Sequence, residues 1–270
     1  MAARMGGRLG PDALRRRRAV VSAHLRRVYG PDLSEAKLDR AVNEAFASYG
    51  RYWAESLRLP SLSATEIDAG MSVEGTDRLH AALAGGRGAI LALPHLGGWD
   101  WGGVWMAQSQ WPVSVVVEAL DPPEVFAWFV EFRSRMGMEV IPLDAGAASA
   151  SMRALGAGRA LCLLSDRAIG AAAGVTVDLF GSPTRLPAGP VTLALRSGAP
   201  LLPCAVYFDG GAKGHLAVVE PPIPLERRGR LRHDVERGTQ QLADRLEVLI
   251  ARAPTQWHMM QPVWPSGEPN

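Results

Sequence analysis

The sequence predicts a single α/β domain: a central, mostly parallel β-sheet flanked by helices on both faces, preceded by a helical N-terminal segment. Three observations carry this expectation. Short apolar runs of strand length alternate with longer stretches of helical period, the pattern of repeated strand–helix units. The 270 residues are 47% hydrophobic, enough to bury one full core, and no low-complexity linker divides them. Chemistry-bearing residues at positions 95, 118 and 166 all fall at the carboxyl ends of predicted strands, where open α/β sheets bind ligands.

Residues 1–60 read as a basic, amphipathic helical segment that belongs to the same domain as an α/β core over 61–270. Leu14, Val21, Leu25 and Val28 recur at helical spacing, while Arg15 to Arg18, Arg26 and Arg27 crowd the other positions. Such a face can lie on an anionic bilayer, although by pattern a charge run of this kind is more often only a solvated face. A second helix carries the stripe Val42, Phe46, Tyr49, Trp53 and Leu57. Ser63 with Glu66 reads as a capping box opening a short helix. A strand near Met71 to Val73 precedes a helix from Thr76 to Leu83, closed by Gly85-Gly86.

Ala89 to Leu93 is short and apolar enough to be a buried strand; Pro94 stops it, and Gly97-Gly98 permit a tight reversal into a helix from Trp99 to Met106. Val113 to Val117 is a β-branched strand with Glu118 at its end. Asp121 and Pro122 cap and open a helix that turns Val125, Phe129, Phe132 and Met136 inward. Met138 to Ile141 is a strand, Ala147 to Leu155 a helix, and Ala160 to Leu164 a strand ending in Ser165-Asp166-Arg167. Val175 to Phe180 is extended and Pro190 to Arg196 helical. Leu201 to Phe208 and Leu216 to Val219 are strands joined by the Asp209-Gly210-Gly211 turn. Val235, Leu242, Leu246 and Leu249 mark a last helix, ended by Pro254.

Composition and missing motifs exclude several functions. A net charge of +2 does not suit a general nucleic-acid binder. Lys37 and Lys213 are the only lysines, and the arginines that replace the rest favour phosphate and carboxylate recognition. Cys162 and Cys204 lack metal-ligand spacing, and neither H-E-x-x-H nor a Cys/His cluster is present, so no metal is expected. The nucleophile elbow G-x-S-x-G and the phosphate-binding glycine motifs are absent too. No apolar run reaches membrane-span length, since His95 and Asp100 interrupt the longest.

What remains is His95 at a strand end and Asp100 in the first turn of the helix that follows. An imidazole held by a carboxylate, with no nucleophile in the chain, suits a reaction whose attacking hydroxyl belongs to a substrate. The competing reading is a buried, hydrogen-bonded histidine beside a helix-capping aspartate.

His95-Leu-Gly-Gly-Trp-Asp100 resembles the H-x4-D motif of the lysophospholipid acyltransferase superfamily. Phe180-Gly181-Ser-Pro-Thr184-Arg185, with Gly189 and Leu202-Pro203, resembles the later blocks of its bacterial lipid A late-acyltransferase branch. The closing Gln256-Trp257-His258-Met259-Met260-Gln261-Pro262 is most similar to phosphatidylinositol mannoside acyltransferases of actinobacteria. The resemblance spans about Arg15 to Pro265 and implies a glycerolipid acyltransferase-like fold.

It also implies transfer of a long-chain acyl group from acyl-CoA, a co-substrate rather than a cofactor, with acyl carrier protein the less favoured donor. The implied acceptor is an anionic glycolipid, the 6-hydroxyl of a mannose on phosphatidylinositol mannoside. The implied place is the cytoplasmic face of the cell membrane, as a peripheral protein. By resemblance His95 is the general base and Asp100 fixes its tautomer, with backbone N–H groups around Gly97-Gly98 and the helix start receiving the oxyanion. Glu118 and Asp166 are candidates for catalytic support, against a solvated strand-end carboxylate and a structural salt bridge. Arg167, Thr184, Arg185 and Trp99 are candidate substrate contacts; composition alone makes Thr184-Arg185 a turn, and core packing is the competing reading for at least one of Trp99, Trp101 and Trp105. His258 is expected to be structural, being far from the strand ends in the predicted order. A lipid A precursor or lysophospholipid acceptor keeps the same chemistry, and a non-catalytic lipid-binding protein is the alternative of another class.

Overall fold

The computed structural model describes residues 11–109, 111–118, 123–169, 174–210 and 214–264. Its centre is a seven-stranded sheet of β1 (Met71–Glu74), β2 (Ala89–Leu93), β3 (Val113–Val117), β4 (Glu139–Pro142), β5 (Ala160–Leu164), β8 (Leu201–Phe208) and β9 (His215–Val219). The order across it is β1-β9-β8-β2-β5-β3-β4, and every pairing is parallel except β8 with β9. The strands β8, β2, β5, β3 and β4 therefore share one carboxyl edge. The middle strands are apolar along their whole length because both faces are covered, and all eight residues of β8 are buried.

One face packs on α4 (Thr76–Ala84), α5 (Trp99–Gln108) and α6 (Pro123–Arg135), through Leu79, Val104, Met106, Phe129 and Phe132. The other packs on α7 (Ala147–Gly156), α8 (Gly189–Ser197) and α9 (Leu231–Arg252), through Leu155, Val191, Leu242, Leu246 and Leu249. The helices α1 (Pro11–Tyr29) and α2 (Glu35–Arg58) form a separate small core from Val21, Leu25, Leu38 and Val42, leaving Leu14 and Leu57 of the predicted stripes exposed. Ser63 and Glu66 make the expected capping box at the start of α3 (Ala64–Ala69). The expected Asp121–Pro122 cap and Gly211 lie outside the described residues.

The sequence from Val175 holds more structure than expected. β6 (Val175–Leu179) and β7 (Ser182–Leu186) form an antiparallel hairpin outside the main sheet, packed on α9. Its two-residue turn has φ of +50° at Phe180 and +70° at Gly181, the signs of a type I′ turn. A positive φ is unusual for a bulky residue. Here the Phe180 N–H donates to the Glu247 carboxylate, which fixes the turn from α9. Composition alone did not reveal a strand at Thr184-Arg185.

Candidate active site

His95 sits two residues past the end of β2, in a loop held from both sides. Gly97 has φ of +60°, and a Cβ there would lie 2.0 Å from the Val206 carbonyl, so only glycine fits. The Gly98 N–H donates to that carbonyl at 2.9 Å. On the opposite side lies the segment after α9. The Gly97 N–H donates to the Gln256 carbonyl at 2.9 Å and the His258 N–H to the His95 carbonyl at 2.7 Å, with Leu96 and Trp257 forming an antiparallel bridge between them.

The carboxylate on the His95 ring belongs to Asp166, in the loop after the neighbouring parallel strand β5. Asp166 Oδ1 lies 2.6 Å from Nδ1, and because a carboxylate only accepts, Nδ1 carries the proton. Oδ2 accepts from the His95 backbone N–H at 2.8 Å and from the Trp257 indole N–H at 2.7 Å. Asp166 is fully buried, whereas the His95 side chain is 25% exposed, so the pair presents its imidazole and hides its anion. Burial alone would raise the Asp166 pKa; the His95 charge and the three hydrogen bonds outweigh it and hold the carboxyl below its usual range.

Asp100 does not hold His95, contrary to expectation. Its Oδ2 accepts from the Tyr52 hydroxyl at 2.7 Å, and Arg133 spans both oxygens at 2.9 and 3.2 Å. All three residues are buried. Burial and the Asp100 charge push the Tyr52 phenol well above its usual pKa, which keeps it a donor. Five residues along a helix turn carry the Asp100 side chain past the loop and into the layer between α2 and α6. There it ties three helices together.

Glu118 does reach the same edge, but it pairs with Arg167 at 2.6 Å rather than with His95. Both line a cavity of about 1230 Å³ that His95 also lines and whose walls are largely apolar, including Leu79, Leu91, Met106, Val115, Cys204 and Val219. Trp99 also lines it, stacked on Tyr52 at 4.0 Å and edge-on to His95 at 5.6 Å. Thr184 and Arg185 do not line it. The buried Thr184 hydroxyl donates to the Val263 carbonyl, and the exposed Arg185 donates to the Gly174 carbonyl at 2.7 Å. Both bonds tie the hairpin to neighbouring backbone.

Two further expectations change. The amides of Gly97 and Gly98 already donate to carbonyls, so they are not open to an oxyanion. The first-turn amides of α5, at Trp99, Asp100 and Trp101, lack intrahelical acceptors and remain as donors near His95. His258, far along the chain, is brought against His95 and lines the cavity, with Nε2 2.8 Å from the Ser48 hydroxyl. Burial and the neighbouring His95 push its pKa down to about 3.

Sequence reasoning passed over Tyr52, Arg133 and Trp257. Arg133 had a visible signal: it stands four residues after Phe129 on the inward stripe of α6, where a lone charge needs a buried partner. Tyr52 borders the stripe of α2 in the same way. Trp257 had only its place in the closing block. Among the described residues, no group of three or more His, Cys, Asp or Glu is placed to hold a metal ion.

The family described as bacterial lipid A biosynthesis acyltransferase matches residues 2–266. A phosphatidylinositol mannoside acyltransferase of Mycolicibacterium smegmatis is 40% identical over 266 residues, covering 97% of this chain and 81% of its own length. The phosphatidylinositol mannoside acyltransferases of two Mycobacterium tuberculosis strains are 38% identical over 260 residues, covering 94% of this chain and 77% of theirs.

Proposed function

The chain belongs to the bacterial lipid A biosynthesis acyltransferase family, and we propose that it moves a long-chain acyl group from acyl-CoA to the 6-hydroxyl of a mannose in phosphatidylinositol mannoside. That it is an acyltransferase follows from the family; the donor, the acceptor and the base are the reading proposed here. The observation that carries this reading is the His95–Asp166 pair, whose imidazole lines a large, mostly apolar cavity.

With Nδ1–H donated to Asp166, the His95 Nε2 lone pair is free to take the proton of a sugar hydroxyl. The hydroxyl oxygen attacks the thioester carbonyl, and the tetrahedral oxyanion is met by the first-turn amides of α5. The C–S bond then breaks, the new ester remains, and His95 returns its proton to the departing thiolate. Asp166 stabilises the imidazolium between these steps without taking its proton. The acyl chain lies along the apolar cavity, and Arg167, Glu118 and Trp99 line the side where the polar ends of the substrates meet. Burial pushes the Cys162 thiol up to about 12 and the Cys204 thiol up as well, which disfavours an acyl-enzyme on either cysteine.

Membrane contact fits the same reading. No helix among the described residues is long and apolar enough to cross a membrane. Arg15, Arg16 and Arg17 are exposed around the first turns of α1 beside the exposed Leu14, a basic segment suited to the anionic cytoplasmic leaflet where the glycolipid lies.

The test is transfer from radiolabelled palmitoyl-CoA, and separately from palmitoyl-acyl carrier protein, to mono- and dimannosylated phosphatidylinositol, lysophospholipid and a lipid A precursor. Wild type is expected to label a mannoside from palmitoyl-CoA, and His95→Ala to lose about 10²–10⁴-fold in turnover while staying folded. Label confined to another acceptor overturns the substrate assignment. Near-normal transfer by His95→Ala overturns the base.

A further inference from the structure

We infer that Trp257 is a positioning residue for acyl transfer, its indole N–H holding Asp166 so that the other carboxylate oxygen faces His95. This rests on the proposed role of His95 and adds to it a specific use for the closing segment of the chain.

Trp257 is tied to the catalytic loop twice. Its backbone bridges Leu96, and the flanking Gln256 and His258 bond to Gly97 and His95. Its side chain, 3% exposed, crosses beneath the loop to Asp166 Oδ2 at 2.7 Å. One residue thus fixes the loop that carries the imidazole and the carboxylate that orients it. Packing alone does not require a tryptophan here. The ring sits among His24 at 5.3 Å, Trp264 at 6.2 Å and Phe180 at 6.5 Å, contacts that another aromatic ring would also make. The indole nitrogen differs in being a donor only. It can stabilise the anion of Asp166 but never accept a proton from it.

Without that donor, Oδ2 keeps a single partner, the His95 N–H. The carboxylate gains freedom to rotate and becomes more basic. Both changes act on the His95–Asp166 pair as a unit. The other titratable groups around the pair are His24 from α1, His258 beside Trp257, and the Glu118–Arg167 ion pair from the neighbouring loops. Burial pushes His24 down to about 4 and His258 down to about 3.

The experiment compares the full-length wild type with Trp257→Phe and with a protein carrying 3-benzothienylalanine at 257, which replaces the indole N–H by sulfur and keeps the bicyclic shape. Turnover, both KM values and the pH profile of kcat/KM are measured for each. The expected result is a kcat lowered about ten- to hundredfold, KM values within about twofold of wild type on the same scale of positioning effects, and an acid limb displaced to higher pH in both variants. If Trp257→Phe does not fold, the benzothienyl protein alone decides. Wild-type kcat and pH profile in the benzothienyl protein overturn the inference, as does a loss carried by KM with an unmoved acid limb. His95→Ala is assayed alongside. If it retains transfer, the reading of His95 is what fails; if it is inactive while the benzothienyl protein is normal, the role of Trp257 alone fails.

Discussion

Asp100 and Asp166 are both buried carboxylates within reach of the turn after β2, yet they are neutralised in opposite ways. Asp100 faces the permanent cation of Arg133 and a phenol donor from Tyr52. Asp166 faces an imidazole, a group without a permanent charge, plus two neutral N–H donors. A carboxylate bonded to a guanidinium and a phenol joins α2, α5 and α6. A carboxylate whose only cation is transient is ready to stabilise that cation when it forms. On the function proposed above, the contrast separates scaffold from chemistry inside one small volume.

The largest effects should come from the Asp166 side. Asp166→Asn is expected to lower kcat by about 10³–10⁴-fold, as when a triad loses its carboxylate, with little change in Tm. In a His95→Ala background the same change should cost almost nothing further, because the two side chains act as one unit. Full additivity in that cycle would break the pairing.

Next comes the Asp100 side, read as stability. Asp100→Asn leaves the Arg133 cation without its anion and should destabilise the fold by about 3–5 kcal/mol. Chemical denaturation checks this, and the protein that remains folded should keep most of its turnover. A large activity loss without destabilisation would erase the distinction drawn here.

Two buried histidines give a smaller, pH-dependent effect. His24 and His258 have folded pKa values lowered, mainly by burial, from the usual 6.5 to about 4 and about 3. Below pH 6.5 the unfolded chain therefore binds protons that the fold refuses. Stability is complete above pH 6.5 and falls as the pH drops toward 4. Between pH 7 and 5 each histidine should account for about 2 kcal/mol, from the 1.36 kcal/mol per pKa unit. Unfolding free energies at the two pH values should converge in His258→Asn relative to wild type. An unchanged slope would place His258 in a more open setting than the structure gives it.

Smallest is Thr184→Val, which removes one hydroxyl bond to the Val263 carbonyl. A loss of about 1 kcal/mol in stability with unaltered KM is expected. A raised KM would return Thr184 to the substrate.

Most of the fold was legible because it rests on local pattern. The apolar runs at Ala89, Val113 and Ala160 and the stripe of α9 each declare a period, and right-handed parallel connections leave few ways to assemble them. Strand ends also located His95, Glu118 and Asp166 on one edge. What could not be read was which carboxylate meets which cation. That choice depends on side-chain direction across a helix turn, and on residues such as Arg133 and Trp257 that are 33 or more positions away. The hairpin at β6 and β7 escaped for a related reason: its turn places Phe180 at positive φ, where its N–H is held by Glu247 of the distant α9.

The most direct test of the central claim is the His95 Nδ1–H resonance in protein labelled with 15N-histidine. Assigned by its absence in His95→Ala, it is predicted to appear far downfield in wild type, to persist in Asp100→Asn, and to vanish or move upfield in Asp166→Asn. A resonance lost in Asp100→Asn and intact in Asp166→Asn would contradict the account.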